Sequence, residues 1–175
     1  MSQTDPMNAI SAIDGRYQGK TKALAAICSE FGLMKFRTKV ECRWVAFLGD
    51  LTEVAELPAL SADDKQFLDS VINNFDEAAA SSIKAFEATT NHDVKAVEYY
   101  LKQRFSERET LAPLSEWIHF ACTSEDINNT AYGLMVKAAT DEVLLPQMDA
   151  LIAEINALAV ANAGRPMLSR THGQT

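Results

Sequence analysis

The group best placed for moving a proton is His172, in the polar run Leu168-Ser169-Arg170-Thr171-His172-Gly173-Gln174-Thr175. A neutral imidazole titrates near physiological pH and can give or take a proton. The run has no apolar period and follows Gly164-Arg165-Pro166, the glycine-then-proline pattern that stops a helix. His172 is read as an acid–base candidate, with a packed core histidine as the alternative. Three more polar clusters fall where helices are expected to begin. In Asp14-Gly15-Arg16-Tyr17 the guanidinium could grip a phosphate or carboxylate through two parallel bonds, or could simply be a solvated arginine on a surface turn. In Thr89-Thr90-Asn91-His92-Asp93, Asn91 is expected to cap the next helix, and Asp93 suits its first turn. Capping leaves the His92 imidazole unexplained; beside two hydroxyls it could hold an oxyanion. In Cys122-Thr123-Ser124-Glu125-Asp126-Ile127-Asn128-Asn129, Thr123 and Asp126 have the spacing of a capping box, with Asp replacing the usual Glu or Gln. The free N–H groups there, with the Thr123 and Ser124 hydroxyls, offer an anion seat. Taken together, the clusters point to a ligand bearing several anionic groups.

Other reactive residue types read more plainly. His119, among Trp117, Ile118 and Phe120, is expected to be a packed histidine. Cys28, Cys42 and Cys122 form no C-x-x-C pair and cannot all be bridged, so reduced thiols are expected, with Cys122 a packed small hydrophobe. Histidines spread from His92 to His172 have no zinc spacing, and no P-loop or dinucleotide-binding glycine run occurs, so neither metal nor cofactor is expected. A formal net charge of -8 with no opposing Lys/Arg cluster disfavours nucleic acid and anionic membrane surfaces as partners. Met1 to Met7 lack the basic-then-apolar pattern of a secretory leader, and no 18 apolar residues run unbroken, so no membrane-spanning segment is expected. A cytoplasmic protein is the expectation.

The elements that must position these clusters all read as helices. Leu24, Ile27, Cys28 and Phe31 mark a first amphipathic helix, and after Gly32 a second runs from about Leu33 to Leu51 with Phe36, Val40, Trp44 and Phe47. Ser61 is expected to cap a helix carrying Phe67, Leu68, Val71 and Ile72. Asp76 opens another to about Thr89, and His92 to Phe105 forms the next. A long helix is expected from Ser124 to about Ala163, with Leu144, Met148, Leu151, Ile155 and Leu158 at alternating 4-3 spacing. That seam calls for partner helices, and Pro146 should kink it or mark a change of partner. The division expected is a helical domain over 1–110 and the start of a helix bundle over 111–175. The residues alone leave open a non-catalytic helical module in which every cluster is only a cap or turn.

Four strings, Ser11–Tyr17 (SAIDGRY), Thr89–Lys102 (TTNHDVKAVEYYLK), Glu116–Asn129 (EWIHFACTSEDINN) and Leu168–Gln174 (LSRTHGQ), resemble in order those of bacterial adenylosuccinate lyases, within the fumarase/aspartase superfamily. The resemblance implies an all-α homotetramer built on a long-helix bundle, with active sites shared among subunits. It implies elimination of fumarate from adenylosuccinate, giving AMP, and from SAICAR, giving AICAR, in purine nucleotide synthesis. By motif, Arg16 and Tyr17 would contact the nucleotide, Asn91, His92 and Asp93 the substrate, and Thr123 and Ser124 its dicarboxylate end. His172 would be the general acid. Members are well over twice this length, and the serine that takes the carbon-bound proton lies in the further portion. The chain by itself is accordingly expected to be inactive, as the N-terminal part of such an enzyme.

Overall fold

The computed structural model describes residues 6–51, 53–54 and 56–166, and every regular element among them is a helix. The helices are α1 (Gln18–Cys28), α2 (Glu30–Asp50), α3 (Ala62–Asn73), α4 (Glu77–Thr90), α5 (Asp93–Ser106), α6 (Ser124–Ala138) and α7 (Leu145–Asn162). Short 3-10 turns cover Pro6–Asn8 and Ala112–Trp117, and a π-helical segment covers Ala139–Leu144. The chain divides into two compact units, Met1–Ala139 and Thr140–Thr175.

In the first unit α4 packs on α5, and α2 packs against α1, α3, α5 and α6. Its core joins Val45 of α2, Leu68 and Val71 of α3, Ile83 of α4, and Val97, Leu101 and Phe105 of α5. Each such burial is worth about 1.5–3 kcal/mol. Phe75 stitches the helices together, with its ring 5.3 Å from Phe31 and 6.3 Å from Tyr100.

Local signals place the helix starts. Ser61 accepts from the Asp64 N–H at 3.1 Å and Asp76 from the Ala79 N–H at 2.9 Å, as their sequence positions predict. The first helix ends earlier than its apolar spacing suggested. Ser29 breaks it and caps α2 by accepting from Gly32 N–H at 3.3 Å, so Phe31 belongs to α2. Gly32 is therefore not a stop. A Cβ at that position would lie 2.1 Å from the Ile27 carbonyl oxygen, so glycine permits the close approach of two successive helices.

The buried face of α2 is a second correction. Met34, Arg37, Thr38, Glu41, Cys42, Val45 and Leu48 are buried, while Phe47 of the expected stripe stands 53% exposed. The long helix expected after Ser124 forms as one continuous helical run, with its turns switching to π type over Ala139–Leu144. Pro146 has no N–H and its ring crowds the carbonyl four residues back, and the chain answers with π-type turns just before it.

In the second unit Leu144, Met148, Leu151, Ile155 and Leu158 all lie exposed, which leaves the heptad seam open. The helical run Ser124–Asn162 spans 39 residues and contains an 18-residue window of mean hydropathy 1.5, none of it buried. By length and composition it could cross a membrane, so the expectation of no membrane-length segment does not hold on that measure. No unbroken apolar run occurs there because Pro146, Gln147, Asp149, Glu154 and Asn156 interrupt the stretch from Val143 to Val160.

Candidate functional site

Two of the predicted clusters meet at a residue the sequence did not single out. Arg37 lies on the buried face of α2 and is only 5% exposed. Its Nη2 pairs with Asp93 Oδ2 at 2.7 Å, and its Nε donates to Asn128 Oδ1 at 2.8 Å. Asn128 in turn donates through Nδ2 to Glu125 Oε1 at 3.1 Å. One guanidinium thus fastens the first residue of α5 to the first turns of α6. Burial pushes the Asp93 carboxyl up, but the Arg37 bond and charge, with the Val94 N–H, outweigh it and hold the group below the usual carboxylate range.

At the α5 mouth the capping assignment shifts by one residue. Asn91 is not the cap. It closes α4 in the left-handed region at φ 51°, a conformation asparagine tolerates, while His92 caps α5. His92 Nδ1 accepts the Lys95 N–H at 3.2 Å, so a neutral ring carries its proton on Nε2. The half-exposed imidazole therefore offers a donor beside the α5 N-terminus.

At the α6 mouth the capping box forms reciprocally between Thr123 and Asp126. Asp126 Oδ2 accepts the Thr123 N–H at 2.7 Å and its hydroxyl at 2.8 Å, and these bonds lower the carboxyl. An anion at this mouth must therefore share Thr123 with a carboxylate already there. Ser124 follows as the first residue of the helix.

Arg16 and Tyr17 stand exposed before α1, just after a turn closed by the Gly15 N–H to the Ser11 carbonyl at 3.1 Å, with the Tyr17 N–H bonded to the Ala12 carbonyl at 2.8 Å. The guanidinium lies over the Tyr17 ring at 5.3 Å. Among the described residues no hydrogen bond or ion pair joins them to the Arg37 array. His172 lies outside the described residues.

His119 is packed, as expected, but against an ion and not only against apolar neighbours. Its side chain is 20% exposed, and its Nδ1 lies 2.6 Å from Oε1 of the buried Glu41. Burial pushes the Glu41 carboxyl up, and His119 pulls it back only in part. Beside the pair, an open-sided cavity of about 550 Å³ runs between α2 and α6, walled by Trp44, Phe47, Ile127 and Leu134. Cys122 reaches this cavity, but burial and the neighbouring Glu41 and Asp126 raise its thiol, which disfavours a nucleophile. No metal-ligating group of three or more such side chains exists among the described residues.

Sequence reasoning missed Arg37, Glu41 and Asn128. The signal available was positional, because Arg37 and Glu41 share the helical face of Met34, Cys42 and Val45, where an ion needs a partner.

Residues 15–175 match a protein family described as lyase. The adenylosuccinate lyase of Vibrio cholerae is 54% identical over 168 residues, covering 96% of this chain and 37% of that protein. That of Haemophilus influenzae is 52% identical over 172 residues, 98% of this chain and 38% of the relative. The Escherichia coli K12 protein is 52% identical over 168 residues, 96% and 37%. The chain spans less than two-fifths of the length of these curated relatives.

Proposed function

We propose that this chain, which belongs to the lyase family, is part of an enzyme that splits adenylosuccinate into AMP and fumarate and SAICAR into AICAR and fumarate. The observation that carries the reading is the Arg37 array, because it ties together two of the four motifs shared with the adenylosuccinate lyases. A substrate with a phosphate at one end and a dicarboxylate at the other needs donors at separated helix mouths, and those of α5 and α6 supply two.

In the reaction, a base takes the proton from the carbon beside a carboxylate. The electron pair becomes the carbon–carbon double bond as the carbon–nitrogen bond breaks. The departing amine takes a proton from His172. Negative charge grows on the carboxylate, next to the donors at Thr123 and Ser124. Asn91, the His92 Nε2–H and Asp93 orient the substrate, and Arg16 with Tyr17 take the nucleotide. One general acid contributes about 10²–10⁴-fold, and orientation up to about 7–11 kcal/mol more.

We further propose that residues 1–110 form the N-terminal helical domain and 111–175 begin a helix bundle. The working enzyme is a cytoplasmic homotetramer that needs no cofactor, and the open seam of α7 is covered by bundle helices, not lipid. It serves purine nucleotide synthesis. The test is fumarate release from adenylosuccinate and from SAICAR by the complete protein that carries this chain. His172→Gln in that protein is expected to abolish turnover while substrate still binds. No release of fumarate from either substrate by the unaltered protein would overturn the assignment.

A further inference from the structure

A buried ion-bearing pair stands outside the contacts used so far. Glu41 is fully buried on α2, and both of its oxygens serve one residue. Oε1 lies 2.6 Å from His119 Nδ1, and Oε2 accepts the His119 backbone N–H at 3.0 Å. The same helix grips the next residue, since Trp44 Nε1 donates to the Phe120 carbonyl at 2.8 Å. His119 at φ 63° and Ala121 at φ 58° both occupy the left-handed region, which residues with a Cβ adopt only where the surroundings enforce it. An apolar pair could fill this space without desolvating a carboxylate. What the fold gains instead is a histidine held in a fixed position.

Ring geometry indicates where the other nitrogen points. With Nδ1 engaged by Glu41, Nε2 projects from the far side of the imidazole, and the side chain is one-fifth exposed. The turn it occupies, closed by the Cys122 N–H to the His119 carbonyl at 3.2 Å, leads directly into Thr123 at the α6 mouth. The ring is thus carried on the turn that leads into the seat assigned to the dicarboxylate.

We propose that Glu41 is a positioning residue for the elimination: it holds His119 with Nδ1–H toward α2 and turns Nε2 toward the carboxylate end of the substrate at the α6 mouth. The inference rests on the adenylosuccinate reading above. Glu41 touches no substrate and acts through the ring alone. Around the pair stand Glu98 on α5, Asp126 on α6, and the Cys42 and Cys122 thiols. When the ring carries both protons, its Nε2–H makes a charge-assisted bond to a carboxylate that gains charge in the transition state.

The test uses the complete protein with adenylosuccinate as substrate and the variants Glu41→Gln, His119→Gln and the double variant. Thermal unfolding serves as a check on folding. Glu41→Gln is expected to lower kcat by about tenfold or more, because the imidazole loses the partner that orients it. The loss should fall on kcat while KM for adenylosuccinate stays within about threefold, because the bond strengthens only in the transition state. The double variant should be no slower than His119→Gln, because Glu41 then has nothing left to position. A folded Glu41→Gln protein with near-normal kcat, or losses that multiply in the double variant, would overturn the proposal. If Glu41→Gln does not fold, His119→Gln decides: a kcat loss of about tenfold or more supports the proposal and near-normal turnover sinks it. Failure of the unaltered protein to release fumarate overturns the parent reading instead, so the two failures are distinguishable.

Discussion

Replacing Arg37 with methionine removes both arms of the guanidinium while keeping an unbranched stem in the same space. The Nε bond to Asn128 at 2.8 Å is a buried hydrogen bond from a charged donor, worth about 1.5–3 kcal/mol. The Asp93 side chain is 52% exposed, so its 2.7 Å pair with Arg37 is screened and adds only about 0–1 kcal/mol. Relief of the buried charge offsets part of this, leaving a net loss of about 2–3 kcal/mol. At 1.4 kcal/mol per decade, local opening becomes about 30- to 140-fold more frequent. Hydrogen exchange followed by mass spectrometry on the complete protein reads this directly. Peptides covering 93–100 and 124–131 should both exchange faster, while those covering α3 keep their rates. If only one helix mouth loosens, or neither does beyond about threefold, Arg37 is not the link between them.

Other consequences follow from particular contacts. Gly32→Ala places a Cβ 2.1 Å from the Ile27 carbonyl and should cost about 1–3 kcal/mol, read as a lower melting temperature. Unchanged melting would mean that the two helices do not approach so closely. Burial pushes the Cys42 thiol up to about 12, whereas Cys28 is exposed, so iodoacetamide at pH 8 should label Cys28 and leave Cys42 until the protein is unfolded. Burial raises the Asp64 carboxyl, but the Ser61 and Thr110 hydroxyls, each at 2.6 Å, and Arg108 outweigh it and hold the group low. Its folded pKa lies below the unfolded one, so the stabilisation is present above about pH 4 and fades as pH falls through the folded value. Asp64→Asn should flatten the acid limb of stability against pH, and an unchanged limb would refute this.

What could be read in the sequence was local. The Ser61, Asp76 and Thr123 caps each depend on residues three positions apart, and the structure forms all three. The same reasoning misplaced the α5 cap by one because Asn91 suits two positions, and only the left-handed end of α4 decides between them. On α2 two apolar stripes compete, and the stripe carrying Arg37 and Glu41 is the one that is buried. It does so because each ion finds its partner far along the chain: Asn128 lies 91 positions from Arg37, and His119 lies 78 from Glu41. Such pairings leave no periodic trace. The only hint is a charge where the apolar pattern has no room for one.

Asn91 alone separates the last residue of α4 from the cap of α5, and at φ 51° it both sets the path of the chain and presents a side-chain amide next to His92. Two duties share one position, and glycine can perform only the first. Asn91→Gly would therefore keep the joint between the two helices and strip away the amide, separating what this position gives to the architecture from what it gives to the ligand.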